Sequence, residues 1–236
     1  MTNTNNMELS KFEKKINIGF NNKNLLKQAF LHRSYLNEHK DLEMEHNERL
    51  EFLGDAVVEI VVTDFLYHKY PKTPEGELTS YRAALVNAIT MSEVASGLGM
   101  NDYMLLSKGE AKDTGRARQI ILANAFEALV GAIYLDQGQE VAQKFIADNL
   151  FAMTEKIVNE KLWLDAKSFF QEKAQEIAGV TPNYKILSEA GPDHNKKFTV
   201  GLFIGDDQIA EGTGHSKQEA EQEAARKGLE IKNWNS

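Results

Sequence analysis

Glu48, Glu51 and Asp55 stand at spacings of three, four and seven within HNERLEFLGDAVVEIVV, the segment from His46 to Val62. In a helix those spacings place three carboxylates on one stripe. The same segment is apolar enough around Leu50, Leu53, Val57, Val58 and Val61 to be a core helix. Aligned like charges destabilise a helix, and burying them costs more unless a cation compensates. A second segment, IILANAFEALVGAIYLD from Ile120 to Asp136, is apolar all round except for Asn124 and Glu127, three residues apart. Those two project within about a quarter turn of each other. Two such helices packed face to face gather four oxygen ligands.

Oxygen donors with retained waters suit Mg²⁺, with Mn²⁺ as a substitute, whereas the absence of Cys and of paired His disfavours zinc. A metal so held lowers the pKa of a bound water, orients it and stabilises charge developing on a phosphate. No covalent nucleophile from the protein and no organic cofactor is needed. The competing reading is that these acids are paired by arginine, with Arg49 and Arg82 available. Glu59, four residues beyond Asp55 on the same stripe, is read in that way, as a solvated or arginine-paired acid.

The elements that must position these groups follow from texture. At 236 residues and 42% hydrophobic content the chain can bury one sizeable core and a second small one. Residues 6–158 read as helices, with polar breaks at 37–45 and 70–76. SKGEAKDTGRAR, Ser107 to Arg118, reads as a basic loop before a helix starting near Gln119. Residues 159–164 form a polar linker. In 165–233 a helix ending at Gly179 precedes three strand-like runs, NYKILSEA, KKFTVGLFI and QIAEGTG, with a turn at 205–207. Ser216 then opens a last helix, with Glu219 completing a capping box. The predicted fold is an all-α domain followed by an α-β-β-β-α domain.

Absence of cysteine excludes a disulfide framework and fits a reducing cytoplasm. The start lacks an apolar signal core, and Glu59 and Asn124 interrupt the longest apolar stretches short of a membrane span. A soluble protein with no membrane partner is expected. The net charge of −8 argues against a nucleic-acid partner, unless a few cations cluster locally.

NERLEFLGDAVVE, Asn47 to Glu59, closely resembles the signature of the ribonuclease III family. FLHRSYLNEH (30–39), GELTSYRAALVN (76–87) and ILANAFEALVGAIYLD (121–136) agree with it. Residues 165–233 look like the double-stranded-RNA-binding domain that follows in bacterial members. The resemblance implies a homodimer that cuts both strands of double-stranded RNA in structured precursors such as ribosomal RNA, leaving 5′-phosphate ends and short 3′ overhangs. It implies that Glu51, Asp55 and Glu127 are metal ligands, with Asp55, Glu127 and Glu48 catalytic, and that Glu48 and Glu75 stand near the scissile strand in a supporting role. Asn124 stands where the family most often has Asp, replacing a charged ligand by an amide carbonyl. Three readings of it are open: a tolerated natural variant, a substitution that traps RNA uncut, or a weakened enzyme. The rival function is a non-cleaving double-stranded-RNA-binding protein.

For RNA binding, the resemblance implies minor-groove contacts by Gln171, Glu172 and the loop 191–196 with His194, although GPDH would equally suit an ordinary hairpin loop. Lys217 has a physical argument of its own. It follows the cap Ser216 at a helix N-terminus, where the macrodipole disfavours a cation unless an anion joins it. Family members usually carry a second lysine next to it; here stands Gln218, and Lys196 and Lys197 compensate. Lys108, Lys112, Arg116 and Arg118 either flank the cleft or are a solvated loop.

Overall fold

In the computed structural model the described residues are 2–192 and 196–234, and they form two compact units, residues 1–163 and 164–236. The first is helical: α1 (Thr2–Ile16), α2 (Lys23–Ala29), α3 (Arg33–Glu38), α4 (Glu48–Lys69), α5 (Glu75–Leu85), α6 (Ala88–Gly97), α7 (Arg116–Gln137), α8 (Gln139–Leu150) and α9 (Met153–Asn159).

Helix α4 carries Glu48 and Glu51 in its first turn and His68 and Lys69 in its last, the polarity that the macrodipole favours. It stops at Lys69 because Tyr70 precedes Pro71 and is driven out of the α region. Helix α7 begins at Arg116, three residues before the sequence reading placed it. The Arg118 guanidinium explains the extra turn, donating to the carbonyls of Glu110 at 2.8 Å and Asp113 at 3.1 Å and so fastening the preceding loop to the helix.

Helix α7 is the centre of the unit, with eleven buried residues from Ile121 to Ile133. By length and composition alone it could cross a membrane, which corrects the expectation that Asn124 cuts the apolar run short. Its apolar side chains instead line the protein core, with Phe126, Leu129 and Ile133 fully buried alongside Phe12, Phe30 and Leu66. Truncating Phe126 to Ala would cost roughly 3–5 kcal/mol.

In the second unit α10 (Ala166–Ala178) precedes β1 (Asn183–Ala190), β2 (Lys197–Ile204), β3 (Asp207–Gly214) and α11 (Lys217–Lys232). The sheet is antiparallel in the order β1-β2-β3. Asp165 caps α10 by accepting from Ser168 N at 3.0 Å, and Gly179 ends it at φ +66, a left-handed conformation that favours glycine. Ser216 Oγ accepts from Glu219 N at 3.1 Å, while the Glu219 carboxylate reaches back to His215 N at 2.9 Å. The capping box is thus shifted by one residue on its return arm. Both helices press Phe170, Ala174, Ala224 and Leu229 against Leu202 of the sheet.

Candidate active site

The site begins with two glycines. Where α4 crosses α7, a Cβ on Gly54 would overlap the Glu127 carbonyl and lie 2.9 Å from Gly131 N; one on Gly131 would overlap the Leu50 carbonyl. Only glycine at both positions lets the two backbones touch. Glu51 and Asp55 flank Gly54, while Asn124 lies two turns and Glu127 one turn before Gly131. The close approach therefore brings all four to one edge of the crossing.

Their electrostatics record that proximity. Burial, and then the negative charges of Asp55 and Glu51, push the Glu127 carboxyl up to about 8. Glu51 is also raised, first by burial and then by Glu48, with Asp55 adding less; the neighbouring Asn124 amide opposes the rise by offering a hydrogen bond. The cluster lies at the rim rather than inside: Glu51, Asn124 and Glu127 are half-buried, and Glu48 and Asp55 are exposed. The expectation of fully buried acids is corrected accordingly, because α4 turns this edge of its stripe outward.

Arginine pairing does not account for the cluster. Arg82 pairs with Glu59 at 3.7 Å and donates to Thr63 Oγ1 at 3.1 Å, and Arg49 pairs with Glu45 at 3.2 Å. Among the described residues no Lys, Arg or His forms an ion pair with Glu51, Asp55 or Glu127. The donor set is all oxygen, which fits Mg²⁺ or Mn²⁺. Among the described residues no three acids or histidines are already closed into a metal cage. Unneutralised carboxylates repel one another, and Mg²⁺ keeps several of its waters, so an open rim with one amide is compatible with that ion.

Glu48, at the head of α4, faces a guanidinium and an imidazole. Arg33 Nη1 lies 3.5 Å from its Oε1 and His46 Nδ1 lies 3.8 Å from its Oε2. Glu75 is elsewhere in the chain, on the rim of a groove of about 250 Å³ with Thr63, Tyr67, Thr79 and Arg82.

A ribonuclease-III-like family model matches residues 22–154, over half of the chain, and a double-stranded RNA binding motif matches residues 166–232. The chain belongs to the ribonuclease III family. It is 43% identical to ribonuclease 3 of Geobacillus thermodenitrificans over 224 residues, 95% of this chain and 91% of that protein. It is also 43% identical to ribonuclease 3 of Borreliella afzelii over 231 residues, 98% of this chain and 94% of that one. The crystal structure of the nuclease domain of ribonuclease III from Campylobacter jejuni matches with a TM-score of 0.54 at 38% identity, covering 66% of this chain and 96% of that one. This ribonuclease III family member is an endoribonuclease that cleaves double-stranded RNA.

In its RNA-binding domain Gln171 and Glu172 are exposed on α10, Lys197 is exposed at the start of β2, and His194 lies outside the described residues. Lys196 and Lys217 come together, at 3.5 and 3.9 Å from the two oxygens of Glu189. Lys217 also overlies the Phe198 ring at 5.8 Å. Of the basic loop, Arg118 is committed to its own loop carbonyls, the structural reading of that residue. Sequence reasoning gave no role to Arg33 or His46. The only hint was their place in the quoted segments, since Arg33 meets Glu48 from a separate helix and His46 precedes α4, outside any helical periodicity.

Proposed function

We propose that this endonuclease works with Mg²⁺, or Mn²⁺ in its place, held by Glu51, Asp55, Asn124 and Glu127. The observation that carries this is the Glu127 carboxyl, raised to about 8 by burial and by Asp55 and Glu51, with no cation paired to these acids among the described residues. Such an arrangement costs stability unless a cation is bound. When bound, the ion supplies Lewis acidity and an activated water for in-line attack on the phosphorus. The P–O3′ bond breaks, giving a 5′-phosphate and a 3′-hydroxyl.

The chain's own residues do the rest. Gly54 and Gly131 fix the distance between the two acid-bearing helices. Asp55 and Glu127 would hold the ion at the edge of the crossing where the reacting phosphate is oriented, and Glu48 at the exposed edge orients water or accepts its proton. Lys196, Lys197, Lys217, Gln171, Glu172 and His194 hold the duplex through phosphates and the minor groove, a readout of shape rather than sequence. The substrates are structured precursors such as ribosomal RNA, and the setting is the cytoplasm.

We further propose a homodimer, which would cut both strands and leave short 3′ overhangs. Its support is a stripe on α4: Phe52 is 82% exposed, Ile60 59% and Tyr67 68%. At 100° per residue these fall within an arc of about 80°. A solved structure of the Campylobacter jejuni nuclease domain, 40% identical with a TM-score of 0.53 over 59% of this chain and 96% of that one, describes a region involved in dimer formation. The metal reading is tested by calorimetric titration of Mn²⁺ into RNA-free protein. Binding that is lost in Glu127→Gln supports it; equal binding by both proteins contradicts it.

A further inference from the structure

We propose that Arg33 and His46 are positioning residues for the Glu48 carboxylate in the cleavage step. The inference rests on the functional reading above and adds to it the groups that aim this acid. Glu48 is the first residue of α4 and half of its side chain is open to solvent, so nothing in its own helix fixes its rotamer. Its two oxygens instead face two different side chains, Oε1 towards the Arg33 guanidinium and Oε2 towards the His46 imidazole. His46 Nδ1 is buried and has no hydrogen-bond partner, a costly state for a ring nitrogen unless the nearby carboxylate, directly or through water, becomes its partner.

The backbone that carries both residues is fastened to the head of α4. Asn47, 2% exposed, donates its backbone N–H to Leu31 O at 2.9 Å and its amide to Ala29 O at 3.3 Å. Gln28 Nε2 donates to His46 O at 3.2 Å. On the other side His32 N donates to Leu105 O at 3.2 Å, and His32 Nδ1 lies 2.8 Å from Ser34 Oγ. Arg33 therefore leaves a fixed backbone, and its planar guanidinium meets Glu48 from that anchor. An exposed ion pair of this kind adds little to stability, so its value lies in orientation.

The test is steady-state cleavage of a labelled RNA duplex by the full-length protein, with melting temperatures as a folding control. Arg33→Ala and His46→Gln should each lower kcat by roughly 10–100-fold, the size of effect known for residues that orient ligating groups, while KM changes by less than about twofold. Arg33→Lys should recover part of the loss. In a Glu48→Ala background neither substitution should cost anything further, because the group they aim is gone. Losses that multiply with Glu48→Ala, or that appear as a raised KM with altered salt dependence, overturn the proposal in favour of direct phosphate contacts. Full activity of Glu48→Ala, with none in Glu127→Gln, also overturns it while leaving the enzyme reading intact. Absence of cleavage by the unsubstituted protein would remove both.

Discussion

Gly54 on α4 and Gly131 on α7 face each other at the helix crossing, so close that a Cβ on the first would lie 2.9 Å from the nitrogen of the second. The acid cluster exists because this contact is backbone to backbone. Gly131→Ala should push the helices apart, since the obstacle is the Leu50 carbonyl and not a side chain that can rotate away. Overpacking of this kind costs about 1–3 kcal/mol or more. Urea unfolding reads that loss, and duplex cleavage should fall by much more than the unfolded fraction explains.

Glu127 makes stability depend on pH in the metal-free protein. Its carboxyl ionises at about 8 in the folded chain against a reference of 4.5. Below pH 4.5 both states hold the proton. Between 4.5 and about 8 only the folded state does, so unfolding releases a proton and stability falls as pH rises through that window. Thermal melts in a chelator should show the decline between pH 5 and 8. Glu127→Gln should flatten it, and saturating Mg²⁺ should reverse much of it.

Much of this was legible in the sequence, for identifiable reasons. The strands at 183–190, 197–204 and 207–214 follow the β-rich runs and the turn at Gly205, where φ is +60. The acids at 48, 51, 55 and 127 were visible because helical periodicity is written into residue spacing. Their depth was not, because which edge of a stripe faces water depends on the neighbouring helix. Arg33 beside Glu48 was equally hidden, since the pair joins separate elements.

Asn124 reduces the charge of the cluster by one and lies against Glu51. Asn124→Asp should therefore destabilise the metal-free protein at pH 8 and strengthen divalent-ion binding. Paired melts with chelator and with Mg²⁺ should show a larger metal-induced rise in melting temperature for the variant. An equal or smaller rise would mean that residue 124 is not part of the ion's environment.

Glu189 lies between Lys196 and Lys217 on the RNA-binding domain. Glu189→Gln removes a carboxylate that competes with RNA phosphate for these cations. Affinity for duplex RNA, read by anisotropy in the Glu127→Gln background to prevent cutting, should rise by roughly two- to fivefold, in keeping with a surface ion pair of about 0–1 kcal/mol. The gain should shrink at high salt.

The central claim is that a divalent ion at the α4–α7 crossing drives cleavage of double-stranded RNA. Incubating the protein with a labelled perfect RNA duplex, with Mg²⁺, with Mn²⁺ and with chelator, tests it most directly when cleavage and gel shift are read together. Short duplex products bearing 5′-phosphates, formed only with metal and absent in Glu127→Gln while the gel shift persists, are the predicted result. A gel shift without cleavage in either metal would contradict it and leave a protein that binds duplex RNA without cutting it.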